Sequence, residues 1–174
     1  MKNYYFLVLV LAASFTTSVA QTSLTSIREE LFYTEFNLDK CLSFYAKVKS
    51  YNQATPTVAA YEAAAKALIA KHSWNPVTKI SSLKEAMDML NKAVSLDEMN
   101  LEIRFLRLYI ENSLPSYIGM KDDIDTDKNM IIKHIDLLDK MGLNGDIVNY
   151  ILNYLSTSVA CTTDEVKMIN AFLF

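Results

Sequence analysis

The sequence predicts an all-α protein, a compact stack of about seven helices arranged as antiparallel hairpins. Apolar residues recur at spacings of three, four and seven along most of the chain, and no stretch shows the sustained alternation of a half-buried strand. Only three glycines and three prolines occur, and nearly all of them lie where a helical pattern starts or stops.

The chain begins with the features of a cleavable signal peptide, residues 1–20. A short positive region and an apolar run precede Ser18 and Ala20, which place small residues at the two positions that a signal peptidase reads. The run is too short to span a bilayer stably, which takes roughly 20 apolar residues. We therefore expect cleavage before Gln21 and an exported protein, periplasmic or secreted. An uncleaved anchor is the alternative.

Residues 21–174 are expected to form a single all-helical domain with one core. The chain has a net charge of -3, and loss of Lys2 with the leader makes it -4. Acidic and basic residues are interspersed, whereas nucleic-acid-binding proteins carry a basic stripe. The charge pattern therefore argues against a nucleic-acid partner and against strong attraction to anionic membranes.

Capping signals place the first two helices. Ser26 and Glu29 have the spacing of a capping box, which opens a helix predicted to run to about Tyr51. Thr55 as the cap and Pro56 at the first helical position open the second helix. The second helix is rich in alanine, so a neighbouring helix can approach it closely.

The third and fourth helices follow from similar signals. The second helix should stop before Pro76, because a residue that precedes proline is pushed away from helical angles. Ser82 and Glu85 form a second capping box, which is predicted to open the third helix. Asn100 caps the fourth helix, residues 101–112, whose apolar residues lie on most sides and predict a central, buried position.

The remaining helices follow a loop at residues 115–123. Asp125 or Thr126 is predicted to cap the fifth helix, with Gly142 as its C-terminal stop. Asn144 starts the sixth helix. A third capping box, formed by Thr162 and Glu165, opens a short seventh helix.

Four aspartates cluster where the fifth helix begins: Asp122, Asp123, Asp125 and Asp127. Their spacing does not fit the helix-loop-helix calcium pattern, because Lys128 occupies the position that needs glycine. We interpret them as acidic residues that complement the positive end of the helix dipole.

The histidines and cysteines predict no metal site, cofactor or catalytic centre. Neither His72 nor His134 has a second histidine three or four residues away to form a helical zinc pair. Cys41 and Cys161 are the only cysteines. Export permits a disulfide between them, and two inert core thiols are the alternative. We therefore expect a non-enzymatic protein.

The residues Leu83, Ala86, Leu90 and Ala93 match the spacing of the second helix of a tetratricopeptide repeat, where small residues alternate with larger apolar ones. The match covers less than one repeat. We therefore describe the expected fold as a degenerate tetratricopeptide-like stack, in which each helical hairpin buries its apolar face against the next.

Three runs carry a broader resemblance: AKHSWNP at 70–76, LEIRFLR at 101–107 and LPSYIG at 114–119. With Asp127 and Lys128 following, this pattern resembles a family of uncharacterised exported helical proteins from Gram-negative bacteria. The resemblance covers the middle half of the chain and implies a helical fold and export, without any chemistry.

Four residues are the candidates for binding a partner. Trp74, the only tryptophan, and Tyr117 lie in loops, and aromatic anchors dominate interface energetics. Arg104 and Arg107 are guanidinium groups on an apolar helix and could bind a carboxylate or phosphate bidentately. The alternatives are an internal ion pair of Arg107 with Glu111, and a Trp74 that pins its loop to the core.

The function expected from these features is that of a periplasmic module that binds an unknown protein or peptide, because stacked helical hairpins usually serve as binding surfaces. The alternative is a binder or carrier of an apolar small molecule between helices. Eight methionines favour that alternative, because methionine adapts to varied ligand shapes.

Overall fold

A computed structural model describes residues 23–33 and 37–173, and this part of the chain is helical and contains no strand, as predicted. The predicted signal peptide, residues 1–20, lies outside the described residues. The α-helices are α1 (Leu24–Tyr33), α2 (Leu38–Lys49), α3 (Pro56–Lys71), α4 (Pro76–Leu96), α5 (Leu101–Ser113), α6 (Ile124–Lys133), α7 (Gly145–Ser158) and α8 (Thr163–Asn170). Two 3₁₀ segments, Ser116–Ile118 and Ile135–Lys140, lie before and after α6.

The prediction of one long first helix is wrong, because α1 and α2 fold back on each other. Lys47 Nζ lies 2.6 Å from Glu30 and 3.1 Å from the Ser26 carbonyl oxygen, whereas positions 30 and 47 of a straight helix would be about 25 Å apart. The predicted capping box at Ser26 is also wrong. Ser26 lies inside α1, and its hydroxyl donates to the Ser23 carbonyl.

The start of α4 also differs from the prediction. Thr55 caps α3 as expected, with its side chain accepting from Val58 N at 3.2 Å. Helix α4 begins at Pro76 rather than after Ser82, because Asn75 is extended and its side chain accepts from two amides of the first turn. Proline fits the first helical position, where its missing N–H would have no partner. Ser82 lies in the helix interior.

The caps predicted at Asn100, Asn144 and Thr162 are confirmed. The capping box has both of its hydrogen bonds: the Thr162 hydroxyl accepts from the Glu165 backbone N–H, and the Glu165 carboxylate accepts from the Thr162 backbone N–H. The predicted cap of the fifth helix is wrong. Helix α6 begins at Ile124, before either of the residues proposed to cap it.

The C-terminal end of that helix also comes early. The α-helical hydrogen bonding ends at Lys133, and a 3₁₀ segment continues to Lys140. Gly142 then adopts a φ of +68°, the left-handed conformation that glycine adopts without steric cost. The prediction that the fifth helix extends to Gly142 is therefore wrong, because the α-helix ends at Lys133 and only the 3₁₀ segment that follows it ends near this glycine.

Helices α3 and α5 form the centre of the described fold. Helix α3 packs against α2, α4 and α5, and six of its alanines are buried, so that its neighbours can approach closely. Helix α5 is buried at ten of its thirteen residues, as its apolar character predicts. Cross-helix ion pairs, Lys49 with Glu62 and Lys66 with Glu85, join α2 to α3 and α3 to α4. None of the helices within the described ranges has the length and apolar character needed to cross a membrane.

The two proposed starts of α4 make different predictions for substitution. Asn75→Ala removes a side chain that caps two amides and should lower the free energy of unfolding by about 1 kcal/mol. Ser82→Ala, at the start expected from the sequence, should leave it within about 0.5 kcal/mol. Urea unfolding followed by far-UV circular dichroism measures both. A larger loss for Ser82→Ala would place the cap where the sequence pattern suggested.

Candidate functional site

A buried carboxylate, Asp127, joins α5 to α6. Its side chain has no exposed surface and accepts from both arginines that the sequence analysis singled out. Arg107 binds it bidentately, from Nε to Oδ2 at 2.7 Å and from Nη2 to Oδ1 at 2.8 Å. Arg104 Nη1 donates to Oδ1 at 2.8 Å. We call Arg104, Arg107 and Asp127 the arginine network.

Other N–H groups of the same two arginines also have partners within the fold. Arg104 Nε donates to the Glu98 carbonyl at 2.7 Å, and Arg107 Nη1 donates to the Asn91 side chain at 2.9 Å. Burial is the largest single effect on the pKa of Arg107 and lowers it, but the hydrogen bond to Asp127 and the charges of Asp127, Asp123 and Glu111 together outweigh burial, so the pKa is raised. The arginines therefore bind Asp127 instead of lining an open groove, because burying a guanidinium group without a counter-charge costs a large free energy.

Glu111, the partner first considered for Arg107, has a different role. It is almost fully buried, and its carboxylate accepts from the backbone N–H of Asp123 at 3.1 Å, one residue before α6. Burial raises the pKa of Glu111 to about 7, and the nearby Asp123 and Asp127 carboxylates also raise it. Arg107 and the Asp123 amide oppose this rise only in part.

A second buried polar cluster, not foreseen from the sequence, ties α1, α3 and α5 together. Arg28 binds Glu102 with two hydrogen bonds of 2.7 Å, and Tyr61 donates to the same carboxylate at 2.7 Å. Arg28 also donates to the Gly142 carbonyl at 3.0 Å. Burial and the neighbouring Glu102 raise the pKa of Tyr61 well above its usual value. These contacts serve the packing of helices and leave no group free for a ligand.

The two aromatic candidates lie on the surface. Trp74 is 100% exposed and Tyr117 is 84% exposed. Trp74 therefore does not pin its loop to the core. The side chains of Val77 and Ile80, in the first two turns of α4, are exposed as well. Exposed apolar side chains that cluster in this way mark interaction surfaces more often than isolated ones do.

Tyr117 lies at a groove between the end of the α3–α4 hairpin and the segment that follows α5. The groove has a volume of about 210 Å³. Its lining residues are Ala67, Leu68, Lys71, Lys79, Leu83, Tyr109, Ile110, Ser113, Leu114, Pro115, Tyr117 and Ile118. Trp74 lies on the short connection between the two lining lysines, at the same end of the hairpin. We call this groove, together with Trp74, Val77 and Ile80, the tip surface.

A larger cavity of about 550 Å³ lies at the opposite end of the same hairpin. It is bounded by the connection between α2 and α3 and by the last turns of α4. Val58, Met89 and Leu96 contribute apolar surface, and Lys49, Glu62 and Lys92 contribute charge.

Both cysteines are free thiols in the structure, Cys41 buried and Cys161 partly buried. The Cys161 thiol donates to the Leu155 carbonyl at 3.3 Å. Burial raises the pKa of both thiols, which disfavours the thiolate that a nucleophile or a metal ligand requires. No group of three or more His, Cys, Asp or Glu side chains with the geometry of a metal site occurs within residues 23–33 and 37–173.

The chain matches no protein-family model, no curated protein and no solved structure. The functional interpretation therefore depends on the geometry of the molecule itself.

Removing the charge of Asp127 should destabilise the fold strongly. Asp127→Asn removes the carboxylate that Arg104 and Arg107 share and leaves Arg107 only the partly exposed Asp123 carboxylate, 3.1 Å from Nη1. We expect the free energy of unfolding to fall by about 3 to 5 kcal/mol. Asp125→Asn, two residues earlier on the exposed side of α6, should cost less than about 1 kcal/mol. Chemical unfolding of both variants compares them. Equal losses would mean that Asp127 does not carry the packing of α6.

Glu111 should make stability depend on pH near neutrality. Its pKa is raised from 4.5 in the unfolded chain to about 7, so the stability it contributes is present below pH 4.5 and is lost as the pH rises through 7. Glu111→Gln should therefore match the wild type near pH 4.5 and exceed its free energy of unfolding above pH 7 by on the order of 1 to 3 kcal/mol.

Urea unfolding at a series of pH values measures this difference. Glu29→Gln, which removes an exposed carboxylate of α1, is the control for the loss of one glutamate at the surface. A Glu111→Gln variant that is less stable than the wild type at pH 8 would contradict the assignment.

Proposed function

We propose that this chain is an exported, non-enzymatic helical protein that binds a protein or peptide partner through its tip surface. The observation that carries the proposal is the complete exposure of Trp74, the only tryptophan, on the connection between α3 and α4, the two helices that supply Lys71 and Lys79 to the apolar groove. An aromatic side chain of this size gains several kcal/mol when a partner covers it, which is why such residues dominate interface energetics.

The groove gives the partner a place for an apolar side chain. Leu83, Ile110 and Leu114 are buried and form apolar walls, while Tyr117 stands exposed at its edge. A buried apolar floor with an exposed aromatic rim is the arrangement that peptide-binding grooves use. The tip surface therefore offers a pocket for an anchor and an aromatic surface for the residues around it.

The arrangement of helices supports a degenerate tetratricopeptide-like stack. Helix α3 contacts both α4 and α5, and Tyr61 and Thr57 of α3 bond in the same order to Glu102 and Asn100 of α5. Alternate helices thus run in the same direction, as they do in stacked helical hairpins. Export and a periplasmic location complete the proposal and rest on the signal-peptide features of residues 1–20.

Site-directed photo-crosslinking in the producing cell tests the proposal. A photoreactive residue at position 74 or 117 should capture the same partner, whereas one at Asn153, exposed on α7, should not. Ser113→Phe fills the groove from its rim and should reduce capture at both positions. The crosslinked product should contain this protein in a form whose mass corresponds to a chain that begins at Gln21.

Equal capture at position 153, or capture that Ser113→Phe does not change, would contradict binding at the tip surface. An intact mass that includes residues 1–20 would contradict export by cleavage.

The cavity of 550 Å³ favours a second candidate function, the binding of an apolar small molecule between helices, since its volume lies within the range of ligand pockets. Native mass spectrometry of the protein purified from the producing cell separates the two functions. A carrier retains a small ligand, and a peptide-binding module does not.

A further inference from the structure

We propose that the partner segment recognised by the tip surface is acidic and carries one large apolar anchor. This inference rests on the proposed function, because it specifies the chemistry of the peptide that the tip surface would bind.

The charge of this region is opposite to that of the whole chain. The protein has 20 acidic and 17 basic residues, yet residues 63–84 contain four lysines and one histidine and no aspartate or glutamate. The residues that line the groove include Lys71 and Lys79 and no aspartate or glutamate. The tip surface is therefore a basic region on an acidic protein.

Two of these lysines lie at the groove itself. Lys71, in the last turn of α3, and Lys79, in the first turns of α4, both line it. Among the described residues neither lysine has a carboxylate within 4 Å, whereas Lys66 on the same helix pairs with Glu85. The two ammonium groups are thus placed to meet carboxylates of a bound segment.

The groove between the lysines suits an apolar side chain. Leu68, Leu83 and Ile110 line it, and a volume of about 210 Å³ accommodates one large apolar side chain rather than an extended ligand. Complementary charges at the rim steer association and select partners, while burial of the anchor provides most of the affinity. Both requirements are met by a short acidic peptide with a single leucine, phenylalanine or methionine.

Selection of short random peptides on the full mature chain tests this inference. We expect enrichment of peptides with several aspartates or glutamates around one large apolar residue. The selected peptides, synthesised with a fluorescent label, should bind with a shift in the emission of Trp74. Lys71→Gln with Lys79→Gln should weaken that binding roughly three- to tenfold, and added salt should weaken it further.

The matched control is Lys40→Gln with Lys133→Gln, which removes two exposed lysines elsewhere, one of them in the last turn of α6, and should leave affinity unchanged. Ser113→Phe should abolish binding of the same peptides.

The other outcomes separate the two proposals. Selected peptides that lack acidic residues, or that bind the double-glutamine variant equally well, yet are lost in Ser113→Phe, would overturn the acidic partner and retain groove binding. Peptides whose affinity is unchanged both by the double-glutamine variant and by Ser113→Phe would overturn both proposals. A third outcome is that no peptide is selected, but the protein binds vesicles of equimolar phosphatidylglycerol and phosphatidylcholine in a way that needs Trp74 and the lysines. That result would overturn the peptide partner and indicate that the tip surface binds an anionic membrane.

Discussion

The packing of this protein depends on one carboxylate that is placed where an apolar side chain would be expected. Asp127 is fully buried, and it lies four residues before Ile131, on the same face of α6. Its cost of desolvation is met by three hydrogen bonds from Arg104 and Arg107, each shorter than 2.9 Å. Because those arginines belong to the most buried helix, α6 can pack against α5 only in the register that brings the carboxylate between them.

The buried charged residues and the exposed candidates for partner binding lie in different parts of the molecule. Six polar or charged residues are buried among the described residues, and four of them belong to α5. Each is bonded to a neighbouring helix or loop, so these charges specify how the helices meet. The surface left open for a partner is apolar and basic: Trp74, Tyr117, Lys71 and Lys79. Structural and recognition roles are thus divided between the interior and the tip of the α3–α4 hairpin.

Sequence patterns predicted the helical class and the starts of four of the eight described α-helices, because caps such as Thr55, Asn100 and Asn144 act through local hydrogen bonds. The errors arose where two local signals compete. Asn75 followed by Pro76 has the same form as Thr55 followed by Pro56, but a proline at this position predicts the end of one helix as well as the start of the next. The break between α1 and α2 has no proline or glycine, and the apolar spacing continues across it.

Residue type identifies the four candidates for partner binding, but it does not show which of them are exposed in the folded protein. Exposure separates Trp74 and Tyr117 from Arg104 and Arg107, and exposure is a tertiary property. Asp127 was interpreted with its acidic neighbours as complementing a helix dipole, although its position on the apolar face was a signal of burial. Glu102 and Tyr61 are 41 residues apart in sequence, so no local pattern relates them.

A double-mutant cycle between Arg107 and Asp127 tests the role of the buried carboxylate most directly. Free energies of unfolding are measured for Arg107→Met, Asp127→Leu and the two together. Arg107→Met leaves Asp127 with Arg104 as its guanidinium partner, and Asp127→Leu removes the carboxylate that both arginines share. If the pair acts as described, the double variant loses less than the sum of the two single losses by about 2 kcal/mol or more. Losses that add to within about 0.5 kcal/mol would show that the two side chains are energetically independent.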